Sequence, residues 1–229
     1  MRAVILAGGS GTRLRPYTTV IPKPLVPVGD RPILQRIIQQ LGEAGVDRID
    51  LCVNYLGNLI ETYFNCAGSV PENVSLRCHW EDEPLGTAGA LKVVPDLDET
   101  FIAMNGDVLT SLDYARLVAY HRDAGADLTI AMTEKAVKVD LGVIEARDGR
   151  VTDYIEKPTL HYEVSMGIYV YEPHVLDHLP DGPCQFPDLV RLLLKDGLHV
   201  AAMISDAIWY DIGTPAEYER AINDLPMLG

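Results

Sequence analysis

The sequence predicts an α/β fold: a mostly parallel central sheet with helices on both faces, leading into a smaller mixed half. Three observations predict it. Through residues 1–135, short apolar runs alternate with apolar residues at helical spacing, as right-handed crossovers between parallel strands require. From residue 136 onward, strand-like runs are instead joined by short turns. Hydrophobic residues make up 48% of the 229-residue chain, enough for the core of a single domain built from two closely fused halves, 1–135 and 136–229.

The elements follow in order. Ala3-Val4-Ile5-Leu6 reads as a buried strand that breaks into Ala7-Gly8-Gly9-Ser10-Gly11-Thr12-Arg13-Leu14. Ile33, Leu34, Ile37, Ile38 and Leu41 recur at helical spacing, with Gly42 and Gly45 near the end of that helix. A strand is expected over 49–53, a helix over 58–66, a strand over 74–79, a short helix over 87–93 and a strand over 100–104. Tyr114, Leu117, Val118 and His121 mark the next helix, and 128–132 the next strand. The mixed half reads as strands over 142–146, 151–155 and 164–171, with Asp148-Gly149 as a hairpin signal. One helix runs from near Pro187 to near Gly197. The last begins at Thr214-Pro215-Ala216-Glu217, a capping box with proline at the first helical position.

Composition narrows the function. No apolar stretch approaches the roughly 18 residues that span a bilayer, and the N-terminal run is too short for a signal peptide. The expectation is a soluble, cytoplasmic chain. Cys52, Cys66, Cys78 and Cys184 are scattered, with no Cys-x-x-Cys pair, so they read as reduced thiols and not as a zinc site. The net charge of −14 argues against nucleic acid and anionic membrane as partners. Residues 1–36 nevertheless hold six cations and one acid, so that segment carries +5 and the remainder −19. An acidic chain that keeps one segment positive reserves it for a small anion.

The glycine-rich loop supplies the anion site. A strand ending in glycines lets a ligand approach the backbone, where free N–H groups bind phosphate. Arg13 and Lys23, the latter bracketed by Pro22 and Pro24, add cations at the same end. The loop is not the dinucleotide fingerprint, because Leu14 stands where the third glycine belongs, and no Gly-Lys-Ser/Thr follows to make a Walker loop. Asp107, just past the 100–104 strand, and Asp211, before a capped helix, are two carboxylates on separate elements. Such a pair can hold one hard cation, Mg²⁺, with phosphates and waters completing its shell. Lys157, in Glu156-Lys157-Pro158, is a third cation on a proline-stiffened backbone. Asp96-Leu97-Asp98 precedes its strand and reads as a turn, not as the metal motif of glycosyltransferases. His174 and His178 lack a third ligand and read as an exposed helix face.

Taken together, seven motifs in order resemble the sugar-phosphate nucleotidylyltransferases, or nucleotide-sugar pyrophosphorylases, from residue 1 to about residue 224. They are Leu6 to Leu14, Pro22-Lys23-Pro24-Leu25, Leu85-Gly86-Thr87-Ala88-Gly89-Ala90-Leu91, Asn105-Gly106-Asp107, Glu156-Lys157-Pro158, Met166-Gly167-Ile168-Tyr169 and Asp211-Ile212-Gly213-Thr214-Pro215. The resemblance implies a Rossmann-like sheet followed by a sugar-binding half. It implies that Leu6, Gly8 and Gly9 line the nucleobase pocket, with Gly86 closing it. Gly11, Thr12 and Arg13 would cradle the triphosphate, Lys23 the α-phosphate and Lys157 the phosphate of the sugar. Asp107 and Asp211 would bind Mg²⁺, and Gly142, Glu156 and Ser165 would meet sugar hydroxyls. Ser165 stands where relatives often carry asparagine, which points to an altered sugar.

The implied reaction is transfer of a nucleotidyl group from a nucleoside triphosphate to a sugar 1-phosphate. The 85–91 stretch looks most like guanylyltransferases for mannose 1-phosphate and related heptose or cyclitol phosphates. The alternatives are a thymidylyl- or uridylyltransferase acting on glucose 1-phosphate, or a catalytically silent nucleotide-sugar-binding regulatory subunit. No C-terminal β-helix is expected, and the oligomeric state is left open, a homodimer included.

Overall fold

The computed structural model of the chain describes residues 1–66 and 68–227. Strand β1 (Arg2–Leu6) ends at the glycine loop. Two-residue strands β2 (Pro27–Val28) and β3 (Arg31–Pro32) lead into helix α1 (Ile33–Glu43). Then come β4 (Arg48–Val53), α2 (Gly57–Phe64), β5 (Ser75–Trp80) and the single turn α3 (Gly86–Gly89), which tightens into a 3₁₀ turn over Ala90–Val93. They are followed by β6 (Phe101–Asn105), β7 (Val108–Thr110), α4 (Tyr114–Ala124) and β8 (Leu128–Lys138). The second half adds β9 (Val143–Arg147), β10 (Arg150–Ile155) and β11 (Thr159–Tyr171). After a 3₁₀ helix over Pro173–His178 come α5 (Phe186–Lys195), β12 (Val200–Ile204), β13 (Trp209–Asp211) and α6 (Pro215–Asn223).

Among the described residues, a seven-stranded sheet has the order β12-β8-β11-β6-β1-β4-β5. β1 pairs in parallel with β4 and β6, β4 with β5, and β12 with β8; only β11 runs antiparallel to its neighbours, β6 and β8. The sheet is therefore mostly parallel, as the alternating pattern predicts. The chain leaves β1 toward β4 and later returns to its other side as β6. That reversal opens a crevice at the carboxyl ends of β1 and β6, where open α/β sheets bind ligands.

Side-chain alternation along the strands feeds two cores, one on each face. Ala3, Ile5, Ile102 and Met104 face α1, α2 and α4. Val4, Cys52, Phe101 and Ala103 face the 88–91 turn and α5. Ile33, Leu34, Ile37, Ile38 and Leu41 of α1 are all fully buried, which accounts for the helical spacing seen in the sequence. Asp113 caps α4 by accepting from Arg116 N–H at 2.9 Å, and Gly125 ends it in the left-handed conformation. The expected capping box forms with a shifted return bond: Thr214 Oγ1 accepts from Glu217 N–H at 3.3 Å, while Glu217 Oε2 accepts from the N–H of Gly213, one residue before the cap, at 3.3 Å.

The structure changes several boundaries. The strands expected over 128–132 and 164–171 continue to Lys138 and back to Thr159. Their outer parts pair only with each other, beyond the sheet, so they carry Glu134, Lys135, Lys138, His161 and Glu163 in place of an apolar run. β9 and β10 form the expected hairpin at the tip, turned by Asp148 and Gly149 at φ 51° and 76°. β7, β12 and β13 were not anticipated. His174 and His178 lie on the 3₁₀ helix and pair with separate acids, Asp127 at 2.8 Å and Asp196 at 2.9 Å. Asp96 lies in the irregular stretch before β6, at φ 56°, and among the described residues all four cysteines are free. No helix among the described residues is long and apolar enough to cross a membrane.

One charge lies wholly inside. Asp50 of β4 is fully buried, bonded to Arg2 Nε at 2.7 Å and to His79 Nε2 at 2.6 Å, with Arg48 Nε at 3.5 Å. Removing the acid leaves its cations buried without compensation. Asp50→Ala is expected to cost about 3–5 kcal/mol of unfolding free energy, read from urea denaturation.

Candidate active site

The carboxyl end of β1 builds the first wall. Ala7 N–H donates to Cys52 O at 2.8 Å, which carries the chain one residue past the strand before it turns. At Gly8, a Cβ would sit 2.9 Å from Glu81 Oε1 and 3.2 Å from Asn54 Cβ, so a side chain there would press on Asn54 and displace the Glu81 carboxylate. Gly11 has φ +60° and folds the loop onto Thr18, whose hydroxyl donates to Gly11 O at 2.7 Å. The loop thereby closes over Lys23, which starts a 3₁₀ turn between its two prolines and is buried.

Lys23 meets the two predicted acids. Its Nζ is ion-paired with Asp107 Oδ2 and lies 3.9 Å from Asp211 Oδ1. β7 and β13 bring the acids together: their antiparallel pairing sets Val108 opposite Asp211, and Ile212 N–H donates to Asp107 O at 3.0 Å. Burial raises the Asp211 carboxyl above the ordinary carboxylate range, and the Asp107 charge raises it further, with Lys23 and Arg13 pulling the other way. Arg13 lies over the Gly213 backbone, where a Cβ would come within 3.1 Å of Nη1. Asp107 Oδ1 is buried and has no hydrogen-bond partner. A carboxylate oxygen in that state, facing a second carboxylate, suits a hard cation. No group of three or more His, Cys, Asp or Glu able to hold a metal occurs among the described residues, so these two acids would be the protein's whole contribution.

Beside this cluster lies a cleft of about 330 Å³, lined by Leu6, Gly8, Gly9, Asn54, Glu81, Pro84, Gly86, Thr87, Ala90, Asn105, Asp107 and Gln185. Four of the predicted pocket residues, Leu6, Gly8, Gly9 and Gly86, thus fall in one cleft with Asp107. Gly86, at φ +80°, approaches Cys184 so closely that a Cβ would be 2.6 Å from its carbonyl oxygen. That carbonyl accepts from Ala88 and Gly89 N–H, both at 3.0 Å, and fixes α3 against the start of α5. Sequence reasoning missed Glu81, Asn54 and Gln185. Glu81 is half-buried; burial pushes its carboxyl upward, and the Leu85 N–H, donating to Oε2 at 3.0 Å, partly offsets this. The available signal was its position as the first residue after β5, at the ligand-binding edge of the sheet.

The second predicted group divides. Ser165 stays with the body of the protein, at a bulge where β11 breaks register with β8. Its Oγ accepts from Gly167 N–H at 3.2 Å and donates to Tyr169 Oη at 3.3 Å. Gly167, at φ +72°, lets the bulge press onto Asn105, with a hypothetical Cβ 2.6 Å from Nδ2. Gly142, Glu156 and Lys157 lie instead on the connections that join the β9–β10 hairpin to β8 and β11. Tyr154 covers Gly142 and donates to Glu156 Oε2 at 3.1 Å. Lys157 is exposed, with φ +45°. Thr12 is exposed at the start of its 3₁₀ turn.

The sequence profile described as "Nucleotidyl transferase" matches residues 2–227. Mannose-1-phosphate guanylyltransferase 1 of Arabidopsis thaliana is 34% identical over 95% of this chain and 63% of its own length. UTP–glucose-1-phosphate uridylyltransferase of a Synechocystis strain is 35% identical over 97% of this chain and 62% of its own length. The chain therefore spans less than two thirds of these curated relatives. The crystal structure of HddC from Yersinia pseudotuberculosis superposes with a TM-score of 0.78 at 30% identity, covering 98% of this chain and 99% of that one. A second crystal structure of HddC is a complex with GMP-PN.

The raised Asp211 carboxyl has a consequence for stability. In the ligand-free protein the folded state holds this proton more tightly than the unfolded chain, so stability falls as pH rises from the ordinary value of 3.8 through the folded one. Asp211→Asn removes that penalty. The variant is expected to melt higher than the wild type at pH 7, with the gain shrinking toward pH 4, in melting curves recorded without ligand or divalent cation.

Proposed function

This chain belongs to the nucleotidyl transferase family, and from that premise we propose that it transfers the guanylyl group of GTP to a sugar 1-phosphate of the mannose or heptose kind, releasing pyrophosphate. The observation that carries this reading is the Lys23–Asp107–Asp211 cluster. A cation and two acids, one with an unpartnered buried oxygen, adjoin an open cleft that the glycine loop walls.

The chemistry asks little of side chains as acids or bases. An oxygen of the sugar 1-phosphate is already anionic and attacks the α-phosphorus in line. The new P–O bond forms as the bond to pyrophosphate breaks, and the bonding pair leaves with pyrophosphate. What the protein must supply is position and positive charge. Lys23, held at the site's centre by two acids, presents its ammonium to the α-phosphate. Arg13, fixed over Gly213, offsets the charge gathering on the departing pyrophosphate. The free N–H groups of the loop from Gly8 to Thr12 cradle the triphosphate. Lys157, with Glu156 and Gly142, holds the sugar phosphate and its sugar. Asp107 and Asp211 would hold Mg²⁺, which when bound neutralises charge on the α-phosphate.

Glu81 favours guanine. Its Oε1 lies beside Gly8 in the cleft wall, and among the described residues no cation pairs with it. Guanine presents two adjacent donors, N1–H and N2–H₂, which a carboxylate accepts together. Uracil and thymine present one N–H between two carbonyls, which a carboxylate repels, and adenine sets a ring acceptor beside its amino group. Such a bidentate acceptor pair discriminates by about 1–3 kcal/mol when both bonds form.

Pyrophosphate release, measured for each common nucleoside triphosphate against a panel of sugar 1-phosphates, is expected only when both substrates are present and fastest with GTP. Faster turnover of UTP with glucose 1-phosphate would overturn the guanine assignment. Tight nucleotide-sugar binding without turnover would favour a regulatory subunit. Asp107→Asn is expected to lower kcat by at least about 100-fold with an unchanged circular dichroism spectrum; full activity would remove the metal assignment. Glu81→Gln is expected to lower kcat/KM for GTP by about 10- to 100-fold while improving UTP relative to GTP.

A further inference from the structure

The two acids of the cluster border different spaces. Asp107 lines the cleft beside the glycine loop, whereas Asp211 lines a second cavity of about 360 Å³. Residues 133–136 of β8, Trp209 and Tyr210 of β13, and Glu217 and Arg220 of α6 form walls of this second cavity. Among the described residues, none of the loop from Gly8 to Arg13 lines it, so it stands apart from the triphosphate cradle.

Its neighbours belong to the acceptor half. Trp209 Nε1 donates to Met166 O at 2.8 Å, one residue from Ser165. β8 runs from the cavity wall to the connection that bears Gly142. Ser165 and Gly142 are the residues expected to meet sugar hydroxyls.

Five charged side chains line the cavity, and their partners divide by sign. Each acid is engaged. Glu134 pairs with His161 Nδ1 at 3.0 Å, and Asp211 lies 3.9 Å from Lys23 Nζ. Glu217 Oε2 accepts from Gly213 N–H at 3.3 Å and from the Thr214 hydroxyl at 3.0 Å. The two cations, Lys135 and Arg220, have no ion pair or side-chain hydrogen bond with any described residue. Each rests on an aromatic ring instead. Lys135 Nζ lies 5.9 Å from the Trp209 ring centre, and Arg220 Cζ lies 5.6 Å from that of Tyr210. A ring face steadies a cation without neutralising it, so the N–H donors stay free. In a chain with 33 acids against 19 Lys and Arg, two unclaimed cations in one cavity run against the composition.

We propose that this cavity takes a second anionic group of the acceptor, a carboxylate or phosphate that the sugar carries away from its 1-phosphate. Arg220 offers a planar fork that matches either group, and Lys135 adds a point charge. Asp211 and Glu217 repel an anion placed elsewhere in the cavity and so confine it to the two cations. The acceptor is then an acidic sugar 1-phosphate. This deepens the proposed function and rests on its placing of the sugar in this half of the molecule.

Paired acceptors of the same ring stereochemistry test the site. Glucuronic acid 1-phosphate is set against glucose 1-phosphate for a carboxylate, and mannose 1,6-bisphosphate against mannose 1-phosphate for a phosphate. Calorimetry, with and without a non-hydrolysable nucleotide analogue, reads binding; pyrophosphate release reads turnover. The acidic member of at least one pair should bind at least about tenfold more tightly than its neutral partner. Lys135→Gln combined with Arg220→Gln keeps much of both stems and should bring each pair within about twofold of one another, with an unchanged circular dichroism spectrum. Equal affinity within both pairs in the wild type would overturn the proposal, as would a preference that survives the double substitution. A double variant that loses only its inhibition by pyrophosphate would assign the cations to the leaving group and would equally overturn it. Absence of pyrophosphate release with every nucleotide would instead remove the proposed function, and the calorimetric preference would still decide the cavity.

Discussion

Two carboxylates facing one lysine set the terms for everything near them. Asp107 and Asp211 repel each other, and partial burial makes the repulsion costly. Lys23 offsets part of it from between them, and Arg13 offsets more from above Gly213. Holding four charged groups so close needs backbones that approach closely. That is why Gly11 folds onto Thr18 and Lys23, why Gly106 packs against the Leu6 carbonyl, and why Gly167 presses on Asn105. The ligand-free site remains short of positive charge at Asp107 Oδ1. A site built this way is less stable alone than with its ligands, as preorganised sites commonly are.

Much of the fold was legible because burial writes itself into apolar spacing. β1, β4, β6 and α1 are nearly all apolar at their buried positions, and their limits in the structure fall within a residue or two of the expected ones. β7 and β13 were not legible. Each has three residues, too few to show a period, and each is fixed by a partner about a hundred residues away. The β8–β11 ribbon was half legible. Its hairpin turn was visible in Asp148-Gly149, but its outer strands bury neither face and so carry no burial pattern to read.

The site divides along the same line. Gly8, Lys23, Asp107 and Asp211 were found because each sits in a motif at a strand or helix end, and the structure brings them together. Glu81 was missed because it stands in an acidic run with Asp82 and Glu83, where nothing in the residue types singles it out. Gln185 was missed because it reaches the cleft only through the clasp between Cys184 and α3. For Lys157 the motif was plain, but its location depends on how far two polar strands continue beyond the sheet.

The reversed strand β11 also dictates an order of events during synthesis. It lies between β6 and β8, and its side chains enter both cores: Met166, Ile168 and Val170 on one face, Tyr169 and Tyr171 on the other. Until Tyr171 has left the ribosome, β6 and β8 each present an unpaired edge, with the gap between them unfilled. Unpaired edges on a nascent chain are where aggregation starts. The chain thus passes through a stretch of translation in which its central strands are made but cannot be joined. Its dependence on chaperones should be concentrated there.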